Sequence, residues 1–542
     1  MEIHREEDSK EVDQPEEIAL LFHWAREVGI YLNLNLLYPV QFSNKYYGIQ
    51  ARSPISAEEC LLVVPNSVIF SLNLHTPLQL EEIFSAHPEY FSIKARDYEE
   101  NRLITFLLFE IAKGPGSFWF PYFNSFPRNI ENLQDWGAKD LIELQDISIL
   151  YDTNFRRKKR KASIKELNSI LKEYPHIFIV EDIEEEIINK CWKTIETRSF
   201  RKGLPNLSLV PLADLFNHGI NYESYKYGNE NEWGRNYEEI NTDSEDEDEA
   251  IIEDPPCLTL SSQKLHRLNF GIYDHLTEPM EKNSKKIEAE AKKIDGKIFM
   301  KKLKAASREK EIKKKFDEER NSFRISAGSS ESYEAGSQVC ISYGKYSNRV
   351  LLTNYGFALK NNKYNYARVK FTLNQLLQPI QVEKLSKNYN GKMQMAFKIK
   401  KSKLNLELIG VLRGLLWNAI CNRPKAFFYP CDPDLEMAVM QRMKTLLNHS
   451  LEQYATTAEY DEKLLEAAEG RQYYAVLYRL NVKECIVQNI SLIDSAIKVI
   501  EILKETIPSE GLNKNTKLDP FSIEGIDEFQ NKIKEYLETY NY

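Results

Sequence analysis

Two short stretches decide the fold: Val210-Pro211-Leu212-Ala213-Asp214-Leu215-Phe216-Asn217-His218 and, much later in the chain, Ile341-Ser342-Tyr343-Gly344. The first is an apolar run that ends in an Asn-His pair, and the second is a β-like run that ends in Tyr-Gly. Each puts polar groups where a strand opens into a loop, which is where binding sites are commonly built. We expect the two ends to lie together in one site.

Other segments accompany this pair in a definite order along the chain. Taken singly, an Asn-His pair is more often a capped turn, a Tyr before Gly is more often a strand end, and Arg198 could form a surface ion pair. The ordered set is more specific than its parts. It consists of the strand at Gly48, the aromatic loop at Pro121-Tyr122, Arg198-x-Phe200, the run Asp214 to His218, Tyr343, and Tyr355-Gly356-Phe357.

This ordered set resembles the SET-domain methyltransferases, and among them the class of the plant Rubisco large-subunit lysine methyltransferase and related ribosomal-protein lysine methyltransferases. The resemblance implies an α+β fold, in which a SET-domain β-fold with a helical insertion precedes an all-α substrate-binding domain. The expected boundaries are a polar leader at 1–17, the SET domain at 18–360 with a helical insertion at 78–195 and a charged insertion at 222–325, and the all-helical domain at 361–542.

The same resemblance implies S-adenosyl-L-methionine as cofactor and assigns roles to particular residues. Tyr343 would be the catalytic residue. The expected cofactor-binding residues are Tyr46, Tyr47, Gly48, Arg198, Asn217 and His218, with Arg198 facing the methionine carboxylate or the space between donor and acceptor. The expected substrate-binding residues are Phe200, Asp214 and Tyr355, and no metal is expected.

Methyl transfer to a lysine makes definite chemical demands on such a site. A protein lysine is protonated at neutral pH, with an ordinary pKa of about 10.4, so the site must favour the neutral amine. An apolar aromatic channel desolvates the ammonium, and the positive sulfonium beyond it repels the charged form. The site then needs in-line geometry more than a strong base. A tyrosine suits this role, because its hydroxyl holds the amine while its ring forms the channel wall.

The acceptor is the open question, because one branch of the family methylates histidine on actin. Phe200 stands where the lysine enzymes carry an aromatic residue and the histidine branch carries a polar amide, which favours lysine. Tyr343-Gly344 and the run Asn361-Asn362-Lys363 are similar to the histidine branch. The family pattern G-x-G-L-x-A has lost its first glycine here, where Tyr46 stands, so a non-catalytic SET-fold adaptor is a further alternative.

Composition limits the partners and the compartment. The net charge of -9 over 542 residues argues against a general nucleic-acid binder, and the apolar runs are too short to span a bilayer. The basic run Arg156 to Lys161 has three possible interpretations: a solvated helix start, a nuclear-import signal or an RNA-binding patch. The oligomeric state is left open.

The seven cysteines are scattered without a zinc-type cluster. Histone-type SET enzymes usually carry such clusters, so a non-histone protein substrate is expected. Scattered cysteines also indicate reduced thiols and a cytoplasmic or nuclear protein.

The charged insertion carries two further predictions. Asp243 to Glu249 is almost wholly acidic and predicts a disordered loop. Lys282 to Arg320 is dense in Lys, Glu and Ala and predicts one long helix with a narrow apolar stripe. That helix either meets a partner, packs back on its own domain, or is mostly solvated, and the last reading is favoured because Lys301 and Arg308 break the heptads.

Overall fold

The computed structural model describes residues 10–11, 15–42, 46–72, 76–95, 97–178, 184–201, 203–220, 225–228, 321–372, 394–401, 403–417 and 433–506. The predictions for the acidic loop at 243–249 and the long helix at 282–320 lie outside these residues. In the described part of the chain, no helix has the length and apolar character needed to cross a membrane.

Short strands in small sheets form the N-terminal part of the molecule. The strands are β1 (Lys10–Glu11), β2 (Tyr31–Leu32), β3 (Leu36–Gln41), β4 (Tyr47–Ala51), β5 (Cys60–Pro65), β6 (Phe70–Ser71), β7 (Ser199–Phe200), β8 (Ser208–Leu209), β9 (Asn217–His218), β10 (Lys226–Gly228), β11 (Ser322–Ser326) and β12 (Gln338–Ile341). Among the described residues they assemble into three sheets with the orders β1-β3-β4-β12-β9, β10-β11-β5-β2 and β6-β8-β7.

The charged insertion leaves and re-enters the fold through paired strands. β10 and β11 run antiparallel, with Tyr227 opposite Phe323, and β11 in turn pairs with β5. The expected insertion of 222–325 therefore includes two strands of the core at its ends, and this boundary prediction was too wide. The reason is that the strand Ser322–Ser326 directly follows the charged segment. Its alternating pattern buries Phe323 and Ile325.

Helices fill the region between β6 and β7, where the sequence predicted a helical insertion. They are α2 (Leu78–Ala86), α3 (Pro88–Phe91), α4 (Tyr98–Ala112), α5 (Phe120–Asn124), α6 (Ala138–Ile142), α7 (Ile147–Lys172) and α8 (Glu185–Arg198), and α1 (Glu16–Glu27) precedes β2. α4 buries residues on almost every side, including Leu103, Ile104 and Phe106. The helix therefore lies inside the core, where it also buries the polar residues Glu99, Asn101 and Glu110.

The basic run Arg156 to Lys161 lies in the middle of α7. The helix begins at Asp146, whose carboxylate accepts hydrogen bonds from the amides of Ser148 and Ile149 at 2.8 and 3.2 Å. The prediction that the run opens a helix is therefore wrong, because the N-cap lies ten residues earlier. Several of the cations are also engaged within the fold: Arg157 donates to the Gln134 carbonyl at 2.7 Å, and Lys159 pairs with Asp97 at 2.7 Å.

The C-terminal part is helical but not all-helical. After α9 (Asn348–Tyr355) come the antiparallel strands β13 (Tyr366–Thr372) and β14 (Gln394–Lys400), and then α10 (Leu406–Trp417), α11 (Pro433–Glu452), α12 (Ala458–Ala467) and α13 (Gly470–Thr506). The expected all-helical domain at 361–542 thus contains a β-hairpin as well as helices. Its strands alternate buried and partly exposed residues, and Phe371 stacks on Phe397 with ring centroids 5.8 Å apart.

The molecule has two hydrophobic cores that share elements of the chain. One lies between the sheets of β1 to β12 and helices α1 to α5, α7 and α8. The other lies under the β13–β14 hairpin and helices α10 to α13, and it includes Trp136 and Leu352 from the earlier part of the chain. The C-terminal part therefore packs on the N-terminal part through this second core, and α9 lies at the junction.

Candidate active site

Three of the sequence motifs lie side by side in one sheet. β12 pairs antiparallel with β4, where Val339 lies opposite Ile49, and parallel with β9, where Ile341 lies opposite His218. β12 therefore separates the Gly48 strand from the Asn217-His218 strand. The Asn-His end and the Tyr-Gly end meet at the same edge of the sheet, as the sequence predicted.

Tyr343 is held at this edge from both of its ends. Its backbone N–H donates to Nδ1 of His218 at 3.0 Å, and its hydroxyl donates to the carbonyl oxygen of Phe216 at 2.9 Å. The His218 ring lies against the Tyr343 ring, with centroids 5.1 Å apart and planes 28° from parallel. Together these contacts fix the phenol in one orientation.

Further aromatic rings continue the wall beside Tyr343. The Tyr355 ring lies 5.0 Å from the Tyr343 ring, and Phe357 lies 6.2 Å from Tyr355 and 6.3 Å from His218. We call His218, Tyr343, Tyr355 and Phe357 the aromatic wall. Such a wall excludes water from one side of a bound side chain and offers π faces to a cationic or methylated nitrogen.

Burial governs the protonation of His218 and Tyr343 in the aromatic wall. Burial lowers the pKa of His218 to about 4, against a small opposing effect of the Ile341 carbonyl. Because Nδ1 accepts the Tyr343 N–H, the neutral ring carries its proton on Nε2. Burial also raises the pKa of Tyr343 well above its ordinary value, although the Arg198 charge opposes this. At neutral pH the imidazole and the phenol are therefore both uncharged.

The buried imidazole predicts a specific loss of stability in acid. The folded-state pKa of His218 is about 4 and the unfolded value is about 6.5, so the unfolded chain binds the proton more tightly between these values. The stability that neutral His218 contributes is complete above about pH 6.5 and is lost as the pH falls toward about 4, by about 3 kcal/mol in total. Urea unfolding at a series of pH values measures this loss.

The matched comparison uses two histidine variants. His218→Asn removes the titrating group, so its free energy of unfolding should fall less steeply between about pH 6.5 and pH 4.5 than that of the wild type. His23 is 71% exposed in its side chain, and His23→Asn should leave the wild-type slope unchanged. Parallel slopes for the wild type and His218→Asn would show that His218 is not the group responsible.

Arg198 and Asp214 form a buried ion pair below the aromatic wall. Nη1 of Arg198, the last residue of α8, donates to the Asp214 carboxylate at 2.8 Å and to the Asp214 carbonyl at 3.1 Å. Burial raises the pKa of Asp214, and the Arg198 charge counteracts this rise. Tyr122, from the predicted aromatic loop, is buried beside the pair, and burial and the Asp214 charge raise its pKa well above the ordinary value.

Asp214 is directed toward Arg198 by the turn that carries it. The carboxylate is 1% exposed and pairs with Arg198, and the substrate-binding role of Asp214 stays a prediction. Leu212 has a left-handed backbone with φ of 65°, and the short 3₁₀ helix Ala213–Leu215 follows. That conformation directs Asp214 inward, toward the end of α8.

The remaining glycine of the N-terminal motif packs tightly against two amides. A side chain at position 48 would begin 2.6 Å from Nε2 of Gln338 and 2.7 Å from Nδ2 of Asn217. Asn217 Nδ2 also donates to the carbonyl of Tyr47 at 2.9 Å. Glycine is therefore required at this position because the neighbouring amides leave no room for a Cβ.

Tyr46 occupies the place of the missing first glycine without blocking this arrangement. Its ring stacks on Phe42 with centroids 5.8 Å apart, and its hydroxyl donates to Oε1 of Gln338 at 3.1 Å. Gly48, Asn217 and Gln338 thus remain together beside the tyrosine. Tyr47 is about half exposed at the rim.

Phe200 lies away from the aromatic wall in its packing contacts. Its ring meets Tyr225 and Phe323 edge-on, with centroids 5.3 and 5.2 Å away, and it is 8% exposed. β7, which carries it, pairs with β8. The predicted role of Phe200 in choosing the acceptor remains a prediction.

Three participants carried no usable signal in the sequence. The Phe216 carbonyl that accepts the Tyr343 hydroxyl is a backbone group, which a residue pattern does not reveal. Gln338 precedes the Tyr-Gly run by a few residues and looks like any polar strand residue. Tyr38 lies close enough to the ion pair for the charges of Arg198 and Asp214 to act on its pKa, which burial raises.

In the described residues, no group of three or more His, Cys, Asp or Glu side chains is placed to hold a metal ion.

Comparisons with known proteins match these two parts of the chain. Residues 395–486 match the family described as Rubisco LSMT substrate-binding. A solved structure of Rubisco LSMT bound to sinefungin and monomethyllysine has a TM-score of 0.56 at 16% identity, covering 96% of this chain and 100% of that chain. The SET domain of LSMT bound to lysine and AdoHcy has the same score and identity, covering 90% and 92%.

Sequence relatives carry a different acceptor in their names. Actin-histidine N-methyltransferase of Rhinolophus ferrumequinum is 22% identical over 206 residues, which is 36% of this chain and 33% of that protein. The human protein of the same name is 21% identical over the same length and coverage. The matched region thus spans about a third of the length of these relatives.

The described part of the chain has the SET-domain fold. More particularly, it has the two-domain arrangement of Rubisco LSMT, with a SET domain followed by a region that matches the Rubisco LSMT substrate-binding family. The resemblance that the sequence predicted is confirmed.

Proposed function

We propose that this protein is an S-adenosylmethionine-dependent protein N-methyltransferase and that its acceptor is a lysine of a non-histone protein. The observation that carries the proposal is the position of β12 between β4 and β9. It brings the Gly48 strand and the Asn217-His218 strand to the two sides of the strand that leads to Tyr343. Solved Rubisco LSMT structures with AdoMet, and with lysine and AdoHcy, support the same assignment.

The residues present fit the proposed cofactor. Among the described residues, Nε2 of Gln338 is a buried donor without a hydrogen-bond partner, and it lies at the bare Cα of Gly48 with the Asn217 amide. A ligand rich in acceptors suits such donors. Tyr46, Tyr47, Gly48, Asn217, His218 and Arg198 would hold the cofactor, which supplies an electrophilic methyl group when bound.

Tyr343 would position the acceptor without acting as a base. Burial raises the pKa of Tyr343, so the phenol stays protonated, and its O–H donates a hydrogen bond to the Phe216 carbonyl. The Tyr343 hydroxyl oxygen and the Phe216 carbonyl oxygen are both fixed. An amine nitrogen that approaches them is oriented by two polar groups rather than by one. Preorganised polar groups of this kind cost no rearrangement during the reaction.

The aromatic wall would supply the second requirement, a neutral amine. Tyr355 and Phe357 extend the apolar surface beyond Tyr343. Desolvation disfavours the charged ammonium and lowers the pKa of a bound lysine. The same wall leaves the four-carbon stem of lysine in apolar contact, which suits a long, flexible side chain.

A histidine acceptor is the second candidate, because the sequence relatives are named actin-histidine N-methyltransferases at 21–22% identity. An imidazole differs from an amine in one property that kinetics can detect. It is already largely neutral at pH 7, with an ordinary pKa of about 6.5, whereas lysine is almost wholly charged.

The pH dependence of kcat/KM therefore distinguishes the acceptors. His218 titrates at about 4 and Tyr343 above its ordinary value, so neither changes charge between about pH 5 and pH 9. With a lysine acceptor, kcat/KM should rise about tenfold per pH unit from about pH 7 to pH 9. A profile that levels off by about pH 7.5 would indicate histidine instead.

Transfer itself is tested with isotopically labelled S-adenosylmethionine and cell extract, followed by mass spectrometry of the labelled protein. Labelled lysine on a non-histone protein supports the proposal. Failure to bind the donor and to label any protein would favour the non-catalytic adaptor.

We also propose a cytoplasmic or nuclear location. Support comes from Cys60, Cys191 and Cys485, which are free thiols in the described part of the chain, because reduced thiols are typical of those compartments.

A further inference from the structure

Asn348, the first residue of α9, uses every hydrogen-bonding position of its side-chain amide. Nδ2 donates to the Leu359 carbonyl at 2.8 Å and to Oδ1 of Asn481 at 2.6 Å. Oδ1 accepts from the Leu359 amide and from Nδ2 of Asn362, both at 3.0 Å. The residue is 1% exposed. A buried amide with all its partners in place holds its surroundings in one arrangement.

Three more asparagines complete this network. Asn365 accepts from the backbone N–H of Asn348 at 2.7 Å and donates to Oδ1 of Asn481 at 3.1 Å. Asn362 also donates to the Tyr346 carbonyl at 2.9 Å. We call Asn348, Asn362, Asn365 and Asn481 the amide cluster, and each member is less than a tenth exposed.

The amide cluster explains one feature of the sequence differently. Asn362 belongs to the run Asn361-Asn362-Lys363, which resembled the histidine branch. Its side chain is buried among the amides and the Tyr346 carbonyl. Asn362 therefore has a structural role that does not depend on the acceptor.

Asn481 is the member that comes from the C-terminal domain, on α13. Its Oδ1 accepts from both Asn348 and Asn365. Removing that oxygen would leave two buried N–H donors unsatisfied at the start of α9. An unsatisfied buried donor is strongly unfavourable, so the local structure would rearrange to satisfy both of them.

A second contact joins the same end of α9 to α13. Arg349 donates to the Tyr478 hydroxyl at 3.4 Å and to Asp146 at 3.3 Å, and it also pairs with Asp152. Tyr478 donates to Asp146 at 2.7 Å. The first turn of α9 is thus fixed to the C-terminal domain by two neighbouring side chains.

The other end of α9 carries Tyr355, whose ring forms part of the aromatic wall. A helix of this length spans about 10 Å and moves as a rigid piece. A shift at Asn348 is therefore transmitted to the Tyr355 ring. We propose that Asn481 is a positioning residue for the candidate active site, and that the C-terminal domain sets the place of Tyr355 as well as binding substrate.

The catalytic part of this inference rests on the proposed function, whereas its structural part does not. Hydrogen exchange of the amides of residues 348–357 measures the order of α9 without any turnover. Steady-state methyl transfer to a protein acceptor, at saturating donor, then separates kcat from KM. A residue that positions the chemistry affects kcat, and one that only holds the acceptor affects KM.

Three variants of the full chain make the test. Asn481→Leu removes the shared acceptor oxygen, Asn481→Asp keeps it, and Asn489→Leu is the matched control. Asn489 lies on the same helix, fully buried, and donates to Lys400 and Cys485 carbonyls at 2.6 and 2.9 Å. Its loss removes two hydrogen bonds from α13 without touching α9.

Asn481→Leu should accelerate exchange in 348–357 and lower kcat about tenfold or more, with KM within about twofold of wild type. Asn481→Asp should recover most of kcat, and Asn489→Leu should keep it. Unchanged exchange in Asn481→Leu, an equal loss of kcat in Asn489→Leu, or an effect on KM alone would each overturn the inference. If the wild type itself transfers no methyl group, the proposed function fails and exchange alone decides the inference.

Discussion

Replacing Tyr343 with phenylalanine should lower methyl transfer by about a hundredfold or more and leave donor binding nearly unchanged. The substitution removes only the hydroxyl that donates to the Phe216 carbonyl at 2.9 Å. The ring remains, and with it the contacts to His218 and Tyr355. The backbone hydrogen bond from Tyr343 to His218 also remains. The site thus keeps its shape and loses the polar group that orients the acceptor nitrogen.

The stability of the variant should change little. Loss of one hydrogen bond costs about 1 kcal/mol, and the Phe216 carbonyl keeps a second lone pair for other partners. Single-turnover transfer of a labelled methyl group measures the chemical step, and calorimetric titration measures donor affinity. A large fall in the first with a constant second separates orientation of the acceptor from binding of the donor.

Tyr333→Phe provides the matched control. The Tyr333 hydroxyl donates to the carbonyl of Cys340, on the same strand β12, at 3.3 Å. This substitution also removes a hydroxyl that donates to a backbone carbonyl. Tyr333 packs against the same hydrophobic core as Tyr343. Turnover of Tyr333→Phe should stay close to wild type. If Tyr343→Phe retained the same turnover as Tyr333→Phe, the catalytic assignment of Tyr343 would be wrong.

The sequence predicted the meeting of His218 and Tyr343 because both residues end apolar runs. Strand ends are visible as a change from apolar to polar residues, and the resemblance supplied the pairing between runs that are far apart. The partner of Arg198 could not be found in this way. Asp214 turns inward because Leu212 adopts a left-handed conformation. Leucine rarely adopts this conformation, so the sequence does not indicate it.

The β13–β14 hairpin shows a signal that was present but outweighed. Tyr366 to Thr372 alternates, and Ala367, Val369 and Phe371 are the buried members. Alternation over seven residues indicates a strand. The helical pattern that follows is much longer and outweighs this short strand in the sequence. Register between two strands separated by more than twenty residues depends on contacts such as Phe371 with Phe397, which local pattern does not contain.

The amide cluster could not be predicted from the sequence pattern for a different reason. Asparagine is common in turns and caps, so Asn348, Asn362 and Asn365 read as loop residues. Their role appears only when Asn481, far away on α13, is brought to them. A network whose members are each ordinary becomes specific through its geometry.

Gly356→Ala adds only one methyl group but should disrupt the site severely. Gly356 ends α9 directly after Tyr355 and has φ of 81°, a left-handed conformation that costs an alanine about 1 kcal/mol. Its Cβ would also lie 2.3 Å from the carbonyl oxygen of Glu131 and 3.2 Å from the Cα of Asn132. Both neighbours are backbone atoms, which cannot move aside as a flexible side chain does.

The opposing backbone is itself held firmly. Asn132 accepts from the Gln134 amide at 3.0 Å and donates to Glu196 at 2.9 Å, so it caps the 3₁₀ helix Leu133–Asp135 and ties it to α8. An alanine at 356 must therefore displace either this cap or the Tyr355 ring. Overpacking of this kind costs about 1–3 kcal/mol beyond the backbone strain, and methyl transfer should fall because Tyr355 leaves the aromatic wall.

Gly203→Ala isolates the two contributions. Gly203 has nearly the same backbone angle, with φ of 76°, but nothing lies within 4 Å of its added Cβ. It should lose only the strain, about 1 kcal/mol, and keep its activity. Denaturant midpoints and methyl-transfer rates of both variants give the comparison. Equal midpoints and equal rates would mean that the Glu131 backbone yields freely, and that Tyr355 does not depend on this turn for its place beside Tyr343.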